Sequence, residues 1–311
     1  MGMRADADAG TIRWTPWRAF RTNFWRDSTA MAGLVVVILV CLLAVMAPVI
    51  AGILGHGPNA LFSSSLSGEF ALPTGPSARF LFGVDADGRD LFIRVIYGLR
   101  TSLLVSVTAA IIATAIGLAL GVMAGFLGGW VDTVISRLID IFLSFPLILF
   151  AVSVSSVCST SANGCLDGTM SPGVGMIVTI IVLVSWPYIA RILRGEALRL
   201  RHKEFVESAE CVGSSTARVI LRDIMPNLVP PTIIYLTLAI PSNILFEAVL
   251  SFLGVGIPQS TPSLGGIISS AVQGNIFAYA WWLIVFPGIF LLLATLSFNL
   301  VGDGLRDALE P

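Results

Sequence analysis

The sequence predicts an all-α membrane protein with six transmembrane helices. Three observations lead there. Of 311 residues, 56% are hydrophobic and only 12% are charged. Mean hydropathy is +0.90. The apolar residues also gather into six runs, each near the ~20 residues that cross a bilayer. A soluble domain of this length cannot hide so much apolar surface. The net charge of −1 gives no case for nucleic acid or an anionic substrate. Four cysteines show no metal-ligand spacing, and His56 and His202 lie far apart.

The runs fall at about 28–53, 101–126, 133–157, 173–193, 228–253 and 279–301. In lipid their backbone polar groups are satisfied within helices, whereas isolated strands leave theirs bare. A polar, Arg-bearing stretch over 1–27 precedes the first run. That run is too long for a signal-peptide core, so it reads as a retained span. The expected order is a cytoplasmic segment 1–27, a first span 28–53, and an extracytoplasmic loop 54–92. A core 93–303 with five spans and a cytoplasmic tail 304–311 follow. Gly117, Gly121, Pro146, Pro187, Pro241 and Pro287 fall inside the runs, where membrane helices tolerate them.

Basic residues set the orientation. Arg4, Arg13, Arg18, Arg21 and Arg26 precede the first span. Arg191, Arg194, Arg199, Arg201, Lys203, Arg218 and Arg222 separate the fourth from the fifth, and Arg137 and Arg306 alternate to the same side. Only Arg79, Arg89, Arg94 and Arg100 fall opposite, a split of fourteen to four. Both termini are therefore expected in the cytoplasm.

On the external side, 54–92 is rich in Gly, Pro and Ser and ends in "FGVDADGRDLF". Asp85, Asp87, Arg89 and Asp90 shape this surface, either as an internal turn held by Asp and Gly or as a docking site. Cys158 and Cys165 bracket the next external loop. In an oxidising compartment they can form a disulfide; as spacing fixes neither distance nor angle, two free thiols remain the alternative. "GVGIPQSTPSLGG" reads as a turn-rich external segment before a short helix, and Trp281 and Trp282 as interfacial anchors.

The most polar stretch, "EFVESAECVGSSTARVILRDIMPNLVPP" over 204–231, lies between the fourth and fifth runs. Residues 204–212 form two to three helical turns, with Phe205, Ala209 and Val212 on one side and Glu204, Glu207 and Glu210 elsewhere. Gly213 ends that helix or permits a close approach. Ser214 or Ser215 caps a second short helix, and Pro226 opens the next span. The result is a rigid elbow, suited either to transmitting displacement to a partner or to serving as a solvated linker.

This stretch resembles the EAA loop of importer permeases, with Glu207, Ala209, Gly213 and Pro226 at its characteristic places. Ser208 replaces the first alanine of the triplet, Asp223 stands where an apolar residue is usual, and Met225 replaces leucine. "FGVDADGRDLFIRVIYGLRTSL" over 82–103, "DIFLSFPLILFAV" over 140–152 and "EAVLSFLGVGIPQSTPSLGGII" over 247–268 extend the match in order. Over about 15–307 the chain resembles a permease subunit of bacterial dipeptide/oligopeptide/nickel-type ABC importers, most like the second subunit of the pair.

The resemblance implies the type I ABC importer permease fold and import of di- or oligopeptides. Nickel or another small solute is the alternative cargo. It implies a homologous permease partner, one or two kinds of cytosolic ATPase, and an extracytoplasmic substrate-binding protein. Glu204, Glu207, Ala209, Gly213 and Pro226 would couple to the ATPases. ATP and Mg would sit in those partners, with no cofactor on this chain; the sequence lacks a GxxxxGK[ST] phosphate loop.

Glu247 lies deep in the fifth run, where burial demands a polar partner, water or a proton. A helix-packing hydrogen bond and a place on the translocation path are its two readings. Arg137 and Asp140 are spaced to pair on one helix. Gly117, Gly121 and Gly125 offer close helix approach within the permease pair. A secondary transporter or a membrane scaffold is the rival class. Few ionisable groups in the spans argue against ion coupling, and no nucleophile–base set points to an enzyme.

Overall fold

The computed structural model describes residues 24–62, 65–67, 72–160, 173–255 and 257–309. Helix α1, Ser28–Leu54, begins at Asp27, whose carboxylate accepts the Thr29 N–H at 2.8 Å. It ends at Gly55, which takes a left-handed φ of 69°. Two short antiparallel strands, β1 Leu66–Ser67 and β2 Leu72–Pro73, decorate the loop that follows.

Helix α2, Leu91–Leu127, starts well before the apolar run expected at 101. Asp90 caps it by accepting the Phe92 and Ile93 N–H groups, and Leu91, Ile93, Val95, Ile96 and Leu99 are all buried. Arg94 does not end the helix because it is buried against Asp85.

The expected third span is broken. Helix α3, Gly129–Ser144, and helix α4, Leu147–Thr160, meet at 84°. Pro146 supplies the cause: it removes an N–H and forces Phe145 out of the helical region, to φ −82° and ψ 138°.

Helix α5 is Val174–Arg201, and the short α6 is Glu204–Cys211. Helix α7, Thr216–Val219, passes through a π-turn at Ile220–Ile224 into α8, Met225–Phe252. After α9, Leu264–Gln273, and a 3₁₀ turn at Ile276–Ala278, α10 runs from Trp282 to Leu309. Among the described residues, α1, α2, α5, the α7–α8 unit and α10 are long and apolar enough to cross a membrane. The bent α3–α4 pair makes a sixth if the two helices are counted as one broken span.

Lipid is as apolar as leucine, so close packing rather than burial holds such helices together. The longest contact joins α2 to α5. A Cβ at Gly117 would lie 2.9 Å from the Ile189 Cβ, one at Gly121 2.8 Å from the Ala190 carbonyl oxygen, and one at Gly125 2.6 Å from that of Arg194. The glycine steps thus join two helices of this chain, which corrects their assignment to the permease pair. Helix α1 packs against α10, where Gly33 faces Leu300 and Gly304 faces Ala30.

Trp282 is also corrected. It is buried, and its indole N–H donates to the Val84 carbonyl at 3.2 Å, pinning the external loop to α10. Trp281 is the exposed one of the pair.

Candidate functional site

The elbow is a clamped bracket. Val206 of α6, Val219 of α7, Ile224 and Leu228 form one buried cluster with Val122 and Phe126 of α2 and Ala197 and Leu200 of α5. Ala209 packs on its edge. The inward side of α6 is therefore Val206 with Ala209; Phe205 and Val212, expected beside Ala209, point outward. Exposure reaches 42% at Phe205, 86% at Val212 and 69% at Leu221. Glu204 and Glu207 are exposed in the first turn of α6, where the helix dipole favours acids.

Gly213 has φ 84°, and no atom lies within 4 Å of where its Cβ would be. Its role is to supply a left-handed turn, and the space beside it is open. There its N–H reaches the Glu210 carbonyl at 2.9 Å, and the Ser214 N–H reaches Ala209 at 3.1 Å. Ser215 takes the N-cap position of α7 without a side-chain bond. Pro226 is exposed at the start of α8. It has no N–H to close a bond to Arg222, and just before it the Met225 N–H bonds back to Ile220, the wide π spacing. No sequence signal marked that turn.

At the other end, "DADGRD" folds inward. Asp85 accepts the N–H groups of Asp87 at 3.0 Å and Arg89 at 2.8 Å. It also pairs with the guanidinium groups of Arg89 at 3.2 Å and Arg94 at 3.1 Å. Burial pushes the Asp85 carboxyl above the usual carboxylate range, while the Arg89 N–H and the charges of Arg94 and Arg89 pull it back. Arg94 further donates to the Pro58, Asn59 and Gln259 oxygens at 3.1, 3.3 and 3.2 Å. Asp90, besides capping α2, meets His56 Nδ1 at 2.6 Å. His56 in turn stacks on Phe80. Asp87 lies at the exposed edge, paired with Arg89. The four predicted residues are together; His56 and Arg94, which complete the cluster, were not foreseen.

Glu247 is fully buried on α8. Ser102 of α2 donates to its Oε2 at 2.6 Å and Ser251 to its Oε1 at 2.7 Å. At the elbow end of the helices the expected Arg137–Asp140 pair is loose, at 3.9 Å. Asp140 is engaged more closely by Arg191 of α5, and Asp132 by Arg194 at 2.8 Å. These two bridges tie α3 to α5. Cys158 is buried near the end of α4, whereas Cys165 lies outside the described residues. Among the described residues no three His, Cys, Asp or Glu side chains gather as metal ligands.

Two family models match the sequence. Residues 117–311 match the binding-protein-dependent transport system inner membrane component, and residues 15–66 the N-terminal TM domain of oligopeptide transport permease C. The oligopeptide transport system permease protein OppC of Escherichia coli K12 is 39% identical over 295 residues, covering 95% of this chain and 91% of the relative. The dipeptide transport system permease protein DppC of Bacillus subtilis is 35% identical over 295 residues, covering 95% and 84%. An inward-facing structure of the MetNI methionine ABC transporter superposes with a TM-score of 0.57 at 17% identity, over 70% of this chain and 97% of that one. At that identity the likeness is one of fold. The spans, the bracket between α5 and α8 and these matches agree: the chain belongs to the binding-protein-dependent transport system inner membrane components, the non-catalytic permease subunits of ABC importers.

Proposed function

We propose that this permease imports di- or oligopeptides and takes its driving force through the 204–226 elbow. The peptide assignment draws on the relatives, which are named for oligopeptides and dipeptides at 35–39% identity over nearly the whole chain. A homologous permease would complete the path, and an extracytoplasmic binding protein would deliver cargo. One or two kinds of cytosolic ATPase, holding ATP and Mg, would grip the elbow. The excess of basic residues on one side supports a cytoplasmic elbow and cytoplasmic termini.

One observation carries the coupling reading. The elbow exposes Phe205, Val212 and Leu221 on a bracket whose opposite side is locked into the ends of α2 and α5. A solvated linker needs neither the outward apolar side chains nor the rigid backing. Force applied to the outer face passes directly to the spans, as a partner-biased two-state body requires.

The test is ATP hydrolysis stimulated by binding protein and peptide in the reassembled complex. Gly213→Trp, which loads a left-handed position with bulk, should abolish stimulation while membrane insertion persists. Val212→Asp, at a side chain that packs on nothing, should weaken ATPase co-purification. Stimulation unchanged in both variants would sink the elbow assignment.

A further inference from the structure

Halfway down the helices lies a cavity of about 350 Å³, within the ~300–1,000 Å³ typical of small-ligand sites. Leu143 and Leu147, on either side of the α3–α4 break, form one wall. Ser185 and Tyr188 of α5 and Tyr235 and Asn243 of α8 line the others. Helices α5 and α8 have 28 residues each, about 42 Å of length. Ser185 and Tyr188 sit near the middle of α5, at the depth of the hydrocarbon.

The chemistry at that depth is informative. Tyr188 is 61% exposed, yet tyrosine facing lipid belongs at the membrane interface rather than mid-span. Asn243 is buried, with its amide N–H donating to the Ser106 carbonyl at 3.3 Å and its oxygen accepting Ser185 Oγ at 3.3 Å. An amide can form four hydrogen bonds, so this fixed group retains capacity on both its oxygen and its nitrogen. Polar groups at mid-depth turn to a protein interior or a hydrated path, away from lipid. The lining holds no Asp, Glu, Lys or Arg, so a charged occupant would be desolvated without compensation. Its leucines and tyrosines instead suit an apolar or aromatic group.

We propose that this cavity is a subsite for one uncharged apolar side chain of a peptide in transit, with the Asn243 amide and the Tyr188 hydroxyl meeting the peptide backbone. The inference deepens the peptide-import reading and rests on it.

The experiment compares uptake of Ala-Phe-Ala and triglycine by the complete transporter in proteoliposomes. Ala239→Trp, which fills the cavity from α8, should lower Ala-Phe-Ala uptake about tenfold or more and triglycine uptake less than about twofold. A second measurement uses Ser242→Cys on the same wall, with the four native cysteines replaced by serine. The new thiol should react with a water-soluble reagent and be protected by Ala-Phe-Ala. Equal loss of both peptides, or no loss of either, overturns the subsite. So does a Ser242→Cys thiol that crosslinks to the paired permease or reacts only with a lipid-borne probe. If the unsubstituted complex carries neither peptide, the cargo assignment fails and the subsite falls with it.

Discussion

Asp85 and Glu247 are both carboxylates withdrawn from water, but their surroundings differ. Asp85 faces two guanidinium groups, so burial makes its charge costly while its loss would strand Arg94. Removing one partner of such a pair costs about 3–5 kcal/mol, far more than the pair contributes when intact. Asp85→Asn should therefore lower thermal stability in detergent sharply. Asp87→Asn, at the exposed end of its pair with Arg89, should change it by no more than about 1 kcal/mol. Equal shifts would remove the buried-pair account. Glu247 has hydroxyl donors in place of a cation. Glu247→Gln keeps an acceptor for one of them, whereas Glu247→Leu leaves both hydroxyls to find other partners, at about 1–3 kcal/mol each. The leucine variant should melt well below the glutamine variant; the reverse order would contradict these bonds. The Asp and Gly turn could be read from "DADGRD". Its partners could not, because His56 lies 34 residues from Asp90 and Gln259 lies 165 from Arg94.

Among the elements, apolar runs revealed which segments cross the membrane but left their ends and straightness open. Helix α2 extends to Leu91 because a capping Asp and a neutralised Arg permit it, and neither effect registers in hydropathy. The third run contained its own break. Pro146 was visible there as a tolerated membrane proline, yet only the geometry reveals that Phe145 is driven fully extended. Sequence spacing likewise identified the glycine steps of α2 but not the helix they meet, since a small face is equally suited to any neighbour. Pro146→Ala restores the N–H and frees Phe145 to turn helical. Spin labels at the exposed positions Trp130 and Val157 should then move apart by about 10 Å, the difference between a right-angled and a straight helix pair. No change in the label distance would mean that the packing of α4 against α5 holds the bend without the proline.

At the scale of the whole molecule, function depends on which end faces the ATPases, and the chain carries its own reporter. Cys211 is exposed on the last turn of α6, beside the outward Val212, whereas Cys41 is half-buried within α1. In the proposed orientation, drawn from the fourteen-to-four division of basic residues, the elbow faces the cytoplasm. A membrane-impermeant maleimide should therefore leave Cys211 unlabelled in intact cells and label it in inverted vesicles. The elbow's apolar face is also where an ATPase would sit, so vesicles that retain the ATPases should label more slowly than vesicles stripped of them. Labelling in intact cells would reverse the topology and remove the elbow from the compartment that holds ATP. Equal labelling with and without ATPases would preserve the topology but show that the docked surface excludes the Cys211 side of α6. The contact would then have to centre on Leu221 and the α7 side of the bracket, where Leu221→Asp would become the disruptive change and Val212→Asp the silent one.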